Sequence, residues 1–514
     1  MTPDRSYNAA IEFVDRNVAE GRGDKVAFSG DGRELTYGQL QGLSSRVGPA
    51  LARFGVRAED RVLLLMLDTV DFPVMFWGAM RAGVIPIPLN TLLGSDQYRY
   101  IIEDSRARLV VASAPLLPVL EPAMAGLARQ VPVVVAGDSP EGSGLSTVAQ
   151  LLAKAEKQAA PAPTCADDVA FWLYSSGSTG MPKGVRHVHS SLAATAELFG
   201  KGILGISEDD VVFSAAKFFF AYGLGNSLTF PMSVGAKAVL LAERPTPASV
   251  FAILKQEQPT IFFGVPTLYA AMLADGNCTP ENGSQRLRLC VSAGEALPAH
   301  VGLAWRDRFG VDVIDGLGST EMLHIFVSNR PGGVRYGTSG TPVPGYEARL
   351  LDESGREVEG GEIGELVVCG PSAADGYWNQ RERSRSTFEG RWTRTGDKYT
   401  RDEDGYYVYC GRTDDMFKVS GIWVSPFEVE SALVTHAAVL EAAVVPAPDG
   451  DGLLKPKAFI VLKEPSADIE ALNVELKEHV KKAVGMWKYP RWIEVVESLP
   501  KTATGKIQRF KLRE

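Results

Sequence analysis

A run of glycine and hydroxyl-bearing residues after an apolar segment constrains this chain more than any other feature. The apolar segment, Val169 to Tyr174, is typical of a buried strand. The run after it reads Ser175-Ser176-Gly177-Ser178-Thr179-Gly180-Met181-Pro182-Lys183-Gly184. Its glycines permit backbone conformations that are closed to other residues, so that successive N–H groups converge on an anion. The hydroxyls and the lysine add donors and a positive charge, and we predict a loop that wraps a polyphosphate.

Two other interpretations account for less of this run. A solvated turn explains a short Ser/Gly segment, but not a run this rich in donors that closes with Pro182-Lys183-Gly184. A Walker loop needs a serine or threonine directly after its lysine, whereas Gly184 follows Lys183 here. A kinase or GTPase of the P-loop type is therefore disfavoured.

The length and charge of the chain limit the classes of protein to which it can belong. Single hydrophobic cores stop growing near about 250 to 300 residues, so a chain of 514 residues is predicted to form several packed subdomains. A formal net charge of −9 argues against a basic surface for nucleic acid or for an anionic membrane. An anionic ligand must then be held by local lysines, arginines and backbone amides.

The cysteines and the N-terminal residues indicate the cellular compartment. The five cysteines are dispersed and never form a Cys-x-x-Cys pair, so neither a disulfide framework nor a zinc site is predicted. The first residues lack the basic-then-apolar pattern of a signal peptide, and no apolar run approaches about 18 residues. We expect a protein of the reducing cytoplasm that is neither exported nor inserted in a membrane.

Apolar periodicity divides the chain into three parts. From about residue 8, and again after the glycine-rich run, strand-like and helical segments alternate, which predicts a largely parallel sheet with helices on its faces. From Tyr346, short strands punctuated by glycine predict a β-rich subdomain. Past Arg412 an α+β pattern predicts a small separate domain. Its first helix is predicted to begin with a capping box formed by Ser425 and Glu428.

Two further motifs, like the run after Tyr174, follow predicted strands, where ligands of α/β sheets bind. The motif Asp315-Gly316-Leu317-Gly318-Ser319-Thr320-Glu321 comes after a strand that is predicted to end at Ile314. Its hydroxyls and carboxylates suit contact with phosphate and with Mg²⁺, which takes a carboxylate together with phosphate oxygens. The motif Ser292-Ala293-Gly294-Glu295-Ala296-Leu297 offers a glycine that permits close approach of a ligand. Ordinary turns are the alternative for both.

Three more motifs lie in the C-terminal part of the chain. Thr395-Gly396-Asp397, with Arg412 after it, offers a carboxylate that can accept from both hydroxyls of a ribose. The other two are Lys418-Val419-Ser420-Gly421 and Pro500-Lys501-Thr502-Ala503-Thr504-Gly505-Lys506. The lysines of the first and last motifs fall in different predicted domains, so a hinge between the domains could switch the chemistry on and off.

In their order along the chain, the run after Tyr174, the motif that begins at Asp315 and the three C-terminal motifs resemble the signature motifs of the adenylate-forming superfamily, which comprises acyl- and aryl-CoA ligases, adenylation domains of peptide synthetases and luciferases. The resemblance implies an α/β fold of the acetyl-CoA synthetase type. The large N-terminal part has several subdomains with mostly parallel sheets plus a β-rich subdomain, and the small α+β C-terminal domain is mobile. The implied domains are an N-terminal AMP-binding domain over residues 1–413, with its β-rich subdomain at about 345–411, and a C-terminal domain over 414–514.

The resemblance also implies roles for single residues. Lys506, Thr320 and Glu321 are the catalytic residues, with Glu321 as the ligand of Mg²⁺. Asp414 is the hinge. The residues on the coenzyme A side are Lys418, Ser420 and Gly421. The contacts with ATP or AMP are Ser175, Ser176, Gly177, Ser178, Thr179, Gly180, Lys183, Gly294, Glu295, Asp315, Gly316, Leu317, Gly318, Ser319, Thr320, Asp397, Arg412 and Lys506.

Two segments rich in aromatic and apolar residues, Phe219–Gly223 and Gly318–Phe326, resemble the acid pocket of benzoate–CoA ligases. The implied enzyme converts benzoate, ATP and coenzyme A into benzoyl-CoA, AMP and diphosphate with Mg²⁺. Para-hydroxybenzoate or another substituted or heteroaromatic acid is the alternative substrate. Core packing of the phenylalanines and a structural role of the histidine are the alternative interpretations. The proposed pocket consists of Phe220, Ala221, Tyr222, Gly318, His324 and Ile325.

Two alternative functions and one departure from the superfamily pattern also belong to the prediction. Many superfamily members have an arginine where this chain has Trp423, so the resemblance supplies no phosphate contact there. A carrier-protein-loading enzyme and a non-catalytic nucleotide-binding protein are remoter alternatives, the first because no carrier domain follows before Glu514. Because Lys506 lies in a Thr-Gly-Lys loop, we hypothesise that a lysine acetyltransferase and a deacetylase act on it. A homodimer is left open.

Overall fold

The computed structural model describes residues 6–155, 158–175, 181–419, 422–450, 453–465, 468–486, 488–501 and 507–513. The predicted loop residues Ser176 to Gly180, the predicted coenzyme A contacts Ser420 and Gly421, and Lys506 lie outside these described residues. The chain divides into two compact units, Met1–Glu347 with Val368–Thr393, and Ala348–Val367 with Arg394–Glu514. The boundary expected between residues 413 and 414 stays a prediction.

Helices form where apolar residues recur at helical spacing, and polar residues cap several of their first turns. Thr36, for example, accepts a hydrogen bond from the N–H of Gln39 at 3.2 Å. The α-helices are α1 (Arg16–Ala19), α2 (Tyr37–Ala52), α3 (Asp71–Arg81), α4 (Ser95–Ser105), α5 (Leu117–Ala125), α6 (Val148–Ala153), α7 (His189–Thr195), α8 (Ala221–Leu224), α9 (Phe230–Val234), α10 (Pro247–Glu257), α11 (Pro266–Ala274), α12 (Ala299–Phe309), α13 (Arg381–Thr387), α14 (Pro426–Val434) and α15 (Ile469–Val484). Short 3-10 or π-helical turns cover Ile11–Asp15, Ala114–Leu116, Ala196–Lys201, Gly225–Thr229, Pro280–Asn282 and Arg509–Leu512.

The strands are short, and most of those in the first unit are apolar on both faces, as expected for sheets covered by helices. They are β1 (Val26–Gly30), β2 (Arg33–Thr36), β3 (Arg61–Leu65), β4 (Ile85–Pro88), β5 (Leu109–Ser113), β6 (Val133–Ala136), β7 (Val169–Ser175), β8 (Lys183–Val188), β9 (Val211–Ser214), β10 (Lys237–Val239), β11 (Ile261–Gly264), β12 (Leu289–Ala293), β13 (Val313–Gly318), β14 (Ile325–Ser328), β15 (Thr341–Pro342), β16 (Glu347–Leu351), β17 (Gly364–Cys369), β18 (Gly376–Tyr377), β19 (Phe388–Glu389), β20 (Trp392–Arg401), β21 (Tyr407–Arg412), β22 (Phe417–Val419), β23 (Ile422–Val424), β24 (Val439–Pro448), β25 (Leu454–Leu462) and β26 (Trp492–Val495).

The largest sheet of the first unit has nine strands in the order β15-β14-β13-β12-β11-β9-β10-β1-β2. Strands β13, β12, β11, β9, β10 and β1 run parallel, and antiparallel strands close both edges. A second sheet, β4-β3-β5-β6, is parallel throughout. The alternation of strands and helices predicted from the sequence is thereby confirmed.

One expectation about the motif-bearing strands was wrong. Strand β13 does not end at Ile314 but continues to Gly318, because Gly316 and Leu317 pair with β14 in antiparallel register. Strand β7, which precedes the glycine-rich run, lies outside the two sheets just described. It pairs antiparallel with β8, and the two belong to a three-stranded sheet in the order β18-β8-β7.

The second unit contains the β-rich segment and the C-terminal α+β segment that were predicted. Strands β16, β17, β20 and β21 belong to one sheet, β22 and β23 form a hairpin, and α14 and α15 pack with the sheet β24-β25-β26. Ser425 caps α14 by accepting from the N–H of Glu428 at 3.1 Å. The carboxylate of Glu428 pairs with Nζ of Lys488 at 2.6 Å.

In the part of the chain that the structure describes, none of the helices is both long and apolar enough to cross a lipid bilayer.

Candidate functional site

Three side chains from distant parts of the first unit form one hydrogen-bonded triangle, which we call the Lys183 cluster. Nζ of Lys183 lies 2.9 Å from Oε1 of Glu321 and 2.7 Å from the hydroxyl oxygen of Tyr377. The Tyr377 hydroxyl lies 2.8 Å from the same Oε1. Lys183 begins β8, Glu321 follows β13 and Tyr377 ends β18, so the sheet topology brings the three together.

The Lys183 cluster is charged although it is largely buried. The side chains of Lys183 and Glu321 are only 14% and 15% exposed. Burial raises the pKa of Glu321, but the Lys183 charge and the hydrogen bonds from Lys183 and Tyr377 together bring that pKa below its ordinary value. Burial and the Glu321 charge raise the pKa of Tyr377. Near neutral pH the cluster therefore holds an ammonium, a carboxylate and a protonated phenol.

Backbone contacts hold the turn that carries Glu321. Nε2 of the buried His187 donates to the carbonyl oxygen of Thr320 at 2.8 Å. The N–H of Ala374 donates to the carbonyl oxygen of Glu321, also at 2.8 Å. Burial lowers the pKa of His187 to about 4, so its ring is neutral and this bond defines the tautomer. The catalytic candidates Thr320 and Glu321 thus sit on a backbone that is tied from two sides.

The turn from Glu321 to His324 is unusually tight. Leu323 is buried and has a φ of 66°, in the left-handed region that is costly for a leucine. Its N–H donates to the carbonyl oxygen of Thr320 at 3.1 Å. This conformation lets one short segment direct Glu321 to the Lys183 cluster and His324 to a second, aromatic cluster.

We call that second group the His324 cluster, and it consists of Phe199, Tyr222, Asn226, Phe230 and His324. Nε2 of His324 donates to Oδ1 of Asn226 at 3.1 Å and to the carbonyl oxygen of Tyr222 at 3.3 Å. The ring centroids of Phe230 and Phe199 lie 4.5 Å and 5.2 Å from that of His324. Burial lowers the pKa of His324 to about 3, so the imidazole is neutral.

Hydrogen bonds beyond the ring define the tautomer of His324. The hydroxyl of Ser214 donates to the carbonyl oxygen of Ala216 and therefore accepts from Nδ2 of Asn226 at 3.2 Å. Oδ1 of Asn226 must then accept from Nε2 of His324. Nδ1 of His324 is consequently a hydrogen-bond acceptor, and it has no partner among the residues that the structure describes.

The predicted pocket residues surround this second cluster in part. The ring centroids of Tyr222 and His324 are 5.5 Å apart. Phe220 and Ala221 lie at the start of α8, directly before Tyr222, and Ile325 begins β14. A Cβ on Gly318 would lie 2.7 Å from the carbonyl oxygen of His324, so only glycine fits there. The sequence motifs thus converge around one neutral, mostly aromatic group.

The predicted nucleotide contacts of the first unit show two buried polar atoms without partners among the described residues. These atoms are Oγ of Ser175, the last residue of β7, and Oδ1 of Asp315, a residue of β13. Burial raises the pKa of Asp315 to about 8. Buried polar atoms of this kind are normally paired, so these two fit a polar ligand.

The other predicted contacts of this unit are less constrained or are engaged locally. Gly294 has a φ of 95° and open space where a side chain would stand, and Glu295 is exposed. Oγ of Ser319 accepts from the N–H of Met322 at 3.2 Å. Gly316 and Leu317 pair with β14. Gly294 is therefore the position where a flat ligand could approach the backbone most closely.

In the second unit, Asp397 and Arg412 are cross-strand partners on β20 and β21. Nη1 of Arg412 lies 2.9 Å from Oδ1 of Asp397 and also donates to the carbonyl oxygen of Thr395 at 3.1 Å. The Arg412 side chain is 46% exposed, that of Asp397 13%. Asp397, which was predicted to contact the ribose, and Arg412, which was predicted to contact the nucleotide, are thus brought together by one pair of strands.

The departure at Trp423 also has a structural explanation within the second unit. Trp423 pairs with Lys418 across the β22–β23 hairpin, and Nζ of Lys418 lies 4.5 Å from its ring centroid. Nζ of Lys398 lies 4.9 Å from the same ring. Two lysines thus bring positive charge to the position where an arginine was expected. The carbonyl oxygen of the predicted hinge residue Asp414 accepts from Arg513 at 3.3 Å.

The side chains of the site differ in whether they could bind a metal ion alone or only together with a substrate. Within the described ranges, no three His, Cys, Asp or Glu side chains form a group that could hold a metal by themselves. Mg²⁺ commonly takes one or two carboxylates and completes its shell with water and substrate phosphates. Glu321, beside the ammonium of Lys183, fits a site of this shared kind.

Sequence reasoning missed three residues that shape these clusters: His187, Asn226 and Tyr377. Asn226 follows Tyr222 by four positions, a helical spacing that could have indicated a common face. His187 and Tyr377 carried no comparable signal, because their partners are remote along the chain.

Comparison with known proteins gives a consistent result along the chain. The family model described as AMP-binding enzyme matches residues 15–378, and that of the AMP-binding enzyme C-terminal domain matches residues 428–506. A 4-hydroxybenzoate–CoA/benzoate–CoA ligase of Rhodopseudomonas palustris is 61% identical over 514 residues, which cover 100% of this chain and 95% of that protein. A benzoate–CoA ligase of Thauera aromatica is 58% identical, over 99% of this chain and 96% of its own. The crystal structure of a benzoate CoA ligase from Burkholderia xenovorans, 51% identical, matches with a TM-score of 0.91 over 99% of this chain and 100% of that chain.

Proposed function

Since the chain belongs to the AMP-binding enzyme family, we propose that it is an AMP-forming aryl-CoA ligase that converts benzoate, ATP and coenzyme A into benzoyl-CoA, AMP and diphosphate. A carboxylate oxygen of benzoate attacks the α-phosphorus of ATP and diphosphate leaves. The thiol of coenzyme A then attacks the carbonyl carbon of the benzoyl-adenylate and AMP leaves. In each half-reaction the bond to the leaving group breaks as the bond to the nucleophile forms.

The observation that carries this proposal is the juxtaposition of a charged and a neutral cluster on one tight turn. Glu321 belongs to the Lys183 cluster and His324, three residues later, to the aromatic cluster. Adenylation of benzoate needs strong charges at the phosphates and an apolar wall for the ring. The two kinds of surface lie at the two ends of this four-residue turn.

In the first half-reaction, we propose that Lys183 binds phosphate oxygens and that Glu321 holds the Mg²⁺ that accompanies ATP. Mg²⁺ supplies charge neutralisation at the phosphates when it is bound. Thr320, whose carbonyl oxygen is tied to His187, directs its side chain from a fixed backbone. In the second unit, Asp397 and Arg412 bind the ribose, which is supported by their pairing at 2.9 Å.

We propose that Lys506 bridges the acid carboxylate and the α-phosphate during adenylation, a role worth about 3 to 4 kcal/mol for a preorganised donor. The C-terminal family model extends to residue 506, which supports the assignment. Rotation at Asp414 would then withdraw Lys506 and bring Gly421 and Lys418 to the coenzyme A side, a form of gating known for enzymes in general.

One observation favours para-hydroxybenzoate as a second substrate. Nδ1 of His324 is a buried acceptor without a partner among the described residues, and a ring hydroxyl is a donor of the right kind. The Rhodopseudomonas palustris relative is named for both acids.

The decisive experiment is acid-dependent ATP–diphosphate exchange with benzoate, para-hydroxybenzoate, cyclohexanecarboxylate and acetate, followed by addition of coenzyme A. We expect exchange to be strongest with benzoate and to be followed by stoichiometric thioester and AMP. Exchange without thioester would indicate a carrier-loading enzyme. No exchange with any acid, with nucleotide binding retained, would contradict the enzyme assignment.

Three finer proposals concern regulation, assembly and location. Acetylation of Lys506 should stop exchange but spare thioester formation from supplied benzoyl-adenylate, and full exchange by an acetylated sample would refute this regulation.

Light scattering decides between a monomer and a homodimer. A reducing cytoplasmic location is supported by the five cysteines, all of which are free.

A further inference from the structure

We propose that Tyr377 is a positioning residue for the magnesium–ATP complex: its hydroxyl holds Lys183 and Glu321 in the geometry that lets the lysine take a phosphate and the carboxylate take a cation. This inference rests on the proposed function, because it assigns Mg²⁺ and ATP to the Lys183 cluster. It goes beyond that function by adding a residue that no sequence motif indicated.

A tyrosine hydroxyl can donate one hydrogen bond and accept others. In the Lys183 cluster the ammonium has only protons to give and the ionised carboxylate only lone pairs. The Tyr377 hydroxyl therefore accepts from Nζ of Lys183 at 2.7 Å and donates to Oε1 of Glu321 at 2.8 Å. Both bonds involve a charged partner, and such bonds are roughly twice as strong as neutral ones.

These hydrogen bonds determine which atoms of Lys183 and Glu321 are available to bind ligands. Both side-chain donors converge on Oε1 of Glu321, so the second carboxylate oxygen is the one to which a cation can bind. Of the three protons on the Lys183 ammonium, Glu321 and Tyr377 use two among the described residues, which leaves the third for a phosphate. Nζ of Lys183 and Oε1 of Glu321 already form an ion pair at 2.9 Å, and the hydroxyl fixes the orientation of that pair because it bonds to both groups.

Tyr377 is itself held firmly, as a positioning residue must be. Its strand β18 pairs with β8, the strand that Lys183 begins, and its N–H donates to Oγ of Ser384 at 3.0 Å. Nζ of Lys183 lies 4.2 Å from the Tyr377 ring centroid. Gly376, directly before it, has a φ of 138° that a side chain would strain.

The segment that leads into Tyr377 also forms hydrogen bonds with the backbone of the turn that carries Glu321. The N–H of Ala374 donates to the carbonyl oxygen of Glu321, and Oγ of Ser372 donates to that of Met322 at 2.7 Å. These contacts remain when only the hydroxyl of Tyr377 is removed. The Tyr377→Phe variant therefore isolates the contribution of the hydroxyl from that of the segment.

The test is binding of α,β-methylene-ATP, which cannot transfer its adenylyl group, measured by calorimetry with excess Mg²⁺ and again with EDTA. We expect Tyr377→Phe to weaken binding about tenfold with Mg²⁺ and less than about twofold with EDTA, because the hydrogen bonds of the hydroxyl to the charged Lys183 and Glu321 are lost. Tyr98→Phe is the matched control, because its buried hydroxyl donates to a backbone carbonyl oxygen, that of Asn90. Unchanged binding by Tyr377→Phe would overturn the proposal, and so would equal weakening in both conditions.

A double variant shows through which group Tyr377 acts. In a Glu321→Gln background, which should itself lose the Mg²⁺ enhancement, Tyr377→Phe should cause no further Mg²⁺-dependent loss. An additive loss in the double variant would mean that the hydroxyl acts elsewhere, and a melting temperature for each variant identifies any that fails to fold. Absence of nucleotide binding by the unaltered protein would instead refute the proposed function.

Discussion

The Lys183 cluster and the His324 cluster solve the same problem, buried polarity, in opposite ways. The first keeps full charges, because Lys183 and Tyr377 bring the pKa of Glu321 below its ordinary value despite burial. The second removes charge, because burial lowers the pKa of His324 to about 3 and an amide serves as its partner. Of these two clusters, only the Lys183 cluster is charged, which fits our proposal that phosphates bind there and that the aromatic ring of the acid lies beside the neutral His324 cluster.

The largest expected effect comes from neutralising the charged cluster. Glu321→Gln should lower ATP–diphosphate exchange by about 10²- to 10³-fold, as for loss of one preorganised electrostatic group. The loss should be the same for every acid, because the carboxylate serves the phosphates and not the ring. Exchange rates with benzoate and para-hydroxybenzoate measure it.

Glu347→Gln is the matched control for that variant. Glu347 pairs with Arg391 at the surface, where both side chains are more than half exposed, so its loss should change exchange by less than about twofold. An acid-dependent loss in Glu321→Gln would contradict the separation of the two clusters.

The second effect comes from placing a charge in the neutral cluster. Asn226→Asp keeps the shape but sets a carboxylate beside His324, and we expect kcat/KM for benzoate to fall about 10- to 100-fold, because a charge without a full partner is costly in a buried site. Binding of the ATP analogue should stay unchanged.

Asn329→Asp is the control for this variant, since Asn329 is equally buried but donates to the carbonyl oxygen of Thr338. A similar fall in kcat/KM for Asn329→Asp, or a large change in nucleotide affinity for Asn226→Asp, would show that general destabilisation and not local charge is responsible.

The smallest effect concerns Asp68, a buried carboxyl that has no ion pair within 4 Å among the residues that the structure describes. Both of its oxygens lie 3.3 Å from the backbone nitrogen of Phe218, and burial raises its pKa to about 7, against partial lowering by Lys217. The folded pKa lies above that of an unfolded aspartate, near 3.9. The folded state therefore binds the proton more tightly, and stability from this group is lost as pH rises from about 4 to about 7.

Asp68→Asn should remove this slope, so that the melting temperature of the variant falls by a few degrees less than that of the unaltered protein between pH 4 and pH 7. Asp307→Asn, at a side chain that is 76% exposed, should leave the slope unchanged. Parallel melting curves for Asp68→Asn and the unaltered protein would contradict the raised pKa.

The sequence predicted the elements well wherever the signal was local. Strand β7 was recognised from the apolar segment Val169 to Tyr174, and the cap at Ser425 from its spacing to Glu428. Asp397 and Arg412, the two nucleotide contacts predicted in the β-rich segment of the second unit, pair as neighbours on adjacent strands. Strand ends and partners were harder. The extension of β13 to Gly318 depends on β14, which lies beyond the motif itself.

The α/β class, the order of the motifs and the residues that could carry charge or accept phosphate could be predicted from the chain alone, because these follow from periodicity and side-chain chemistry. The hydrogen bonds by which Tyr377 joins Lys183 to Glu321 and Asn226 sets the tautomer of His324 could not, because they depend on the fold. The partners in these bonds are far apart along the chain, and packing of the strands and helices brings them together. In these two clusters, burial together with the neighbouring charges decides which group is charged.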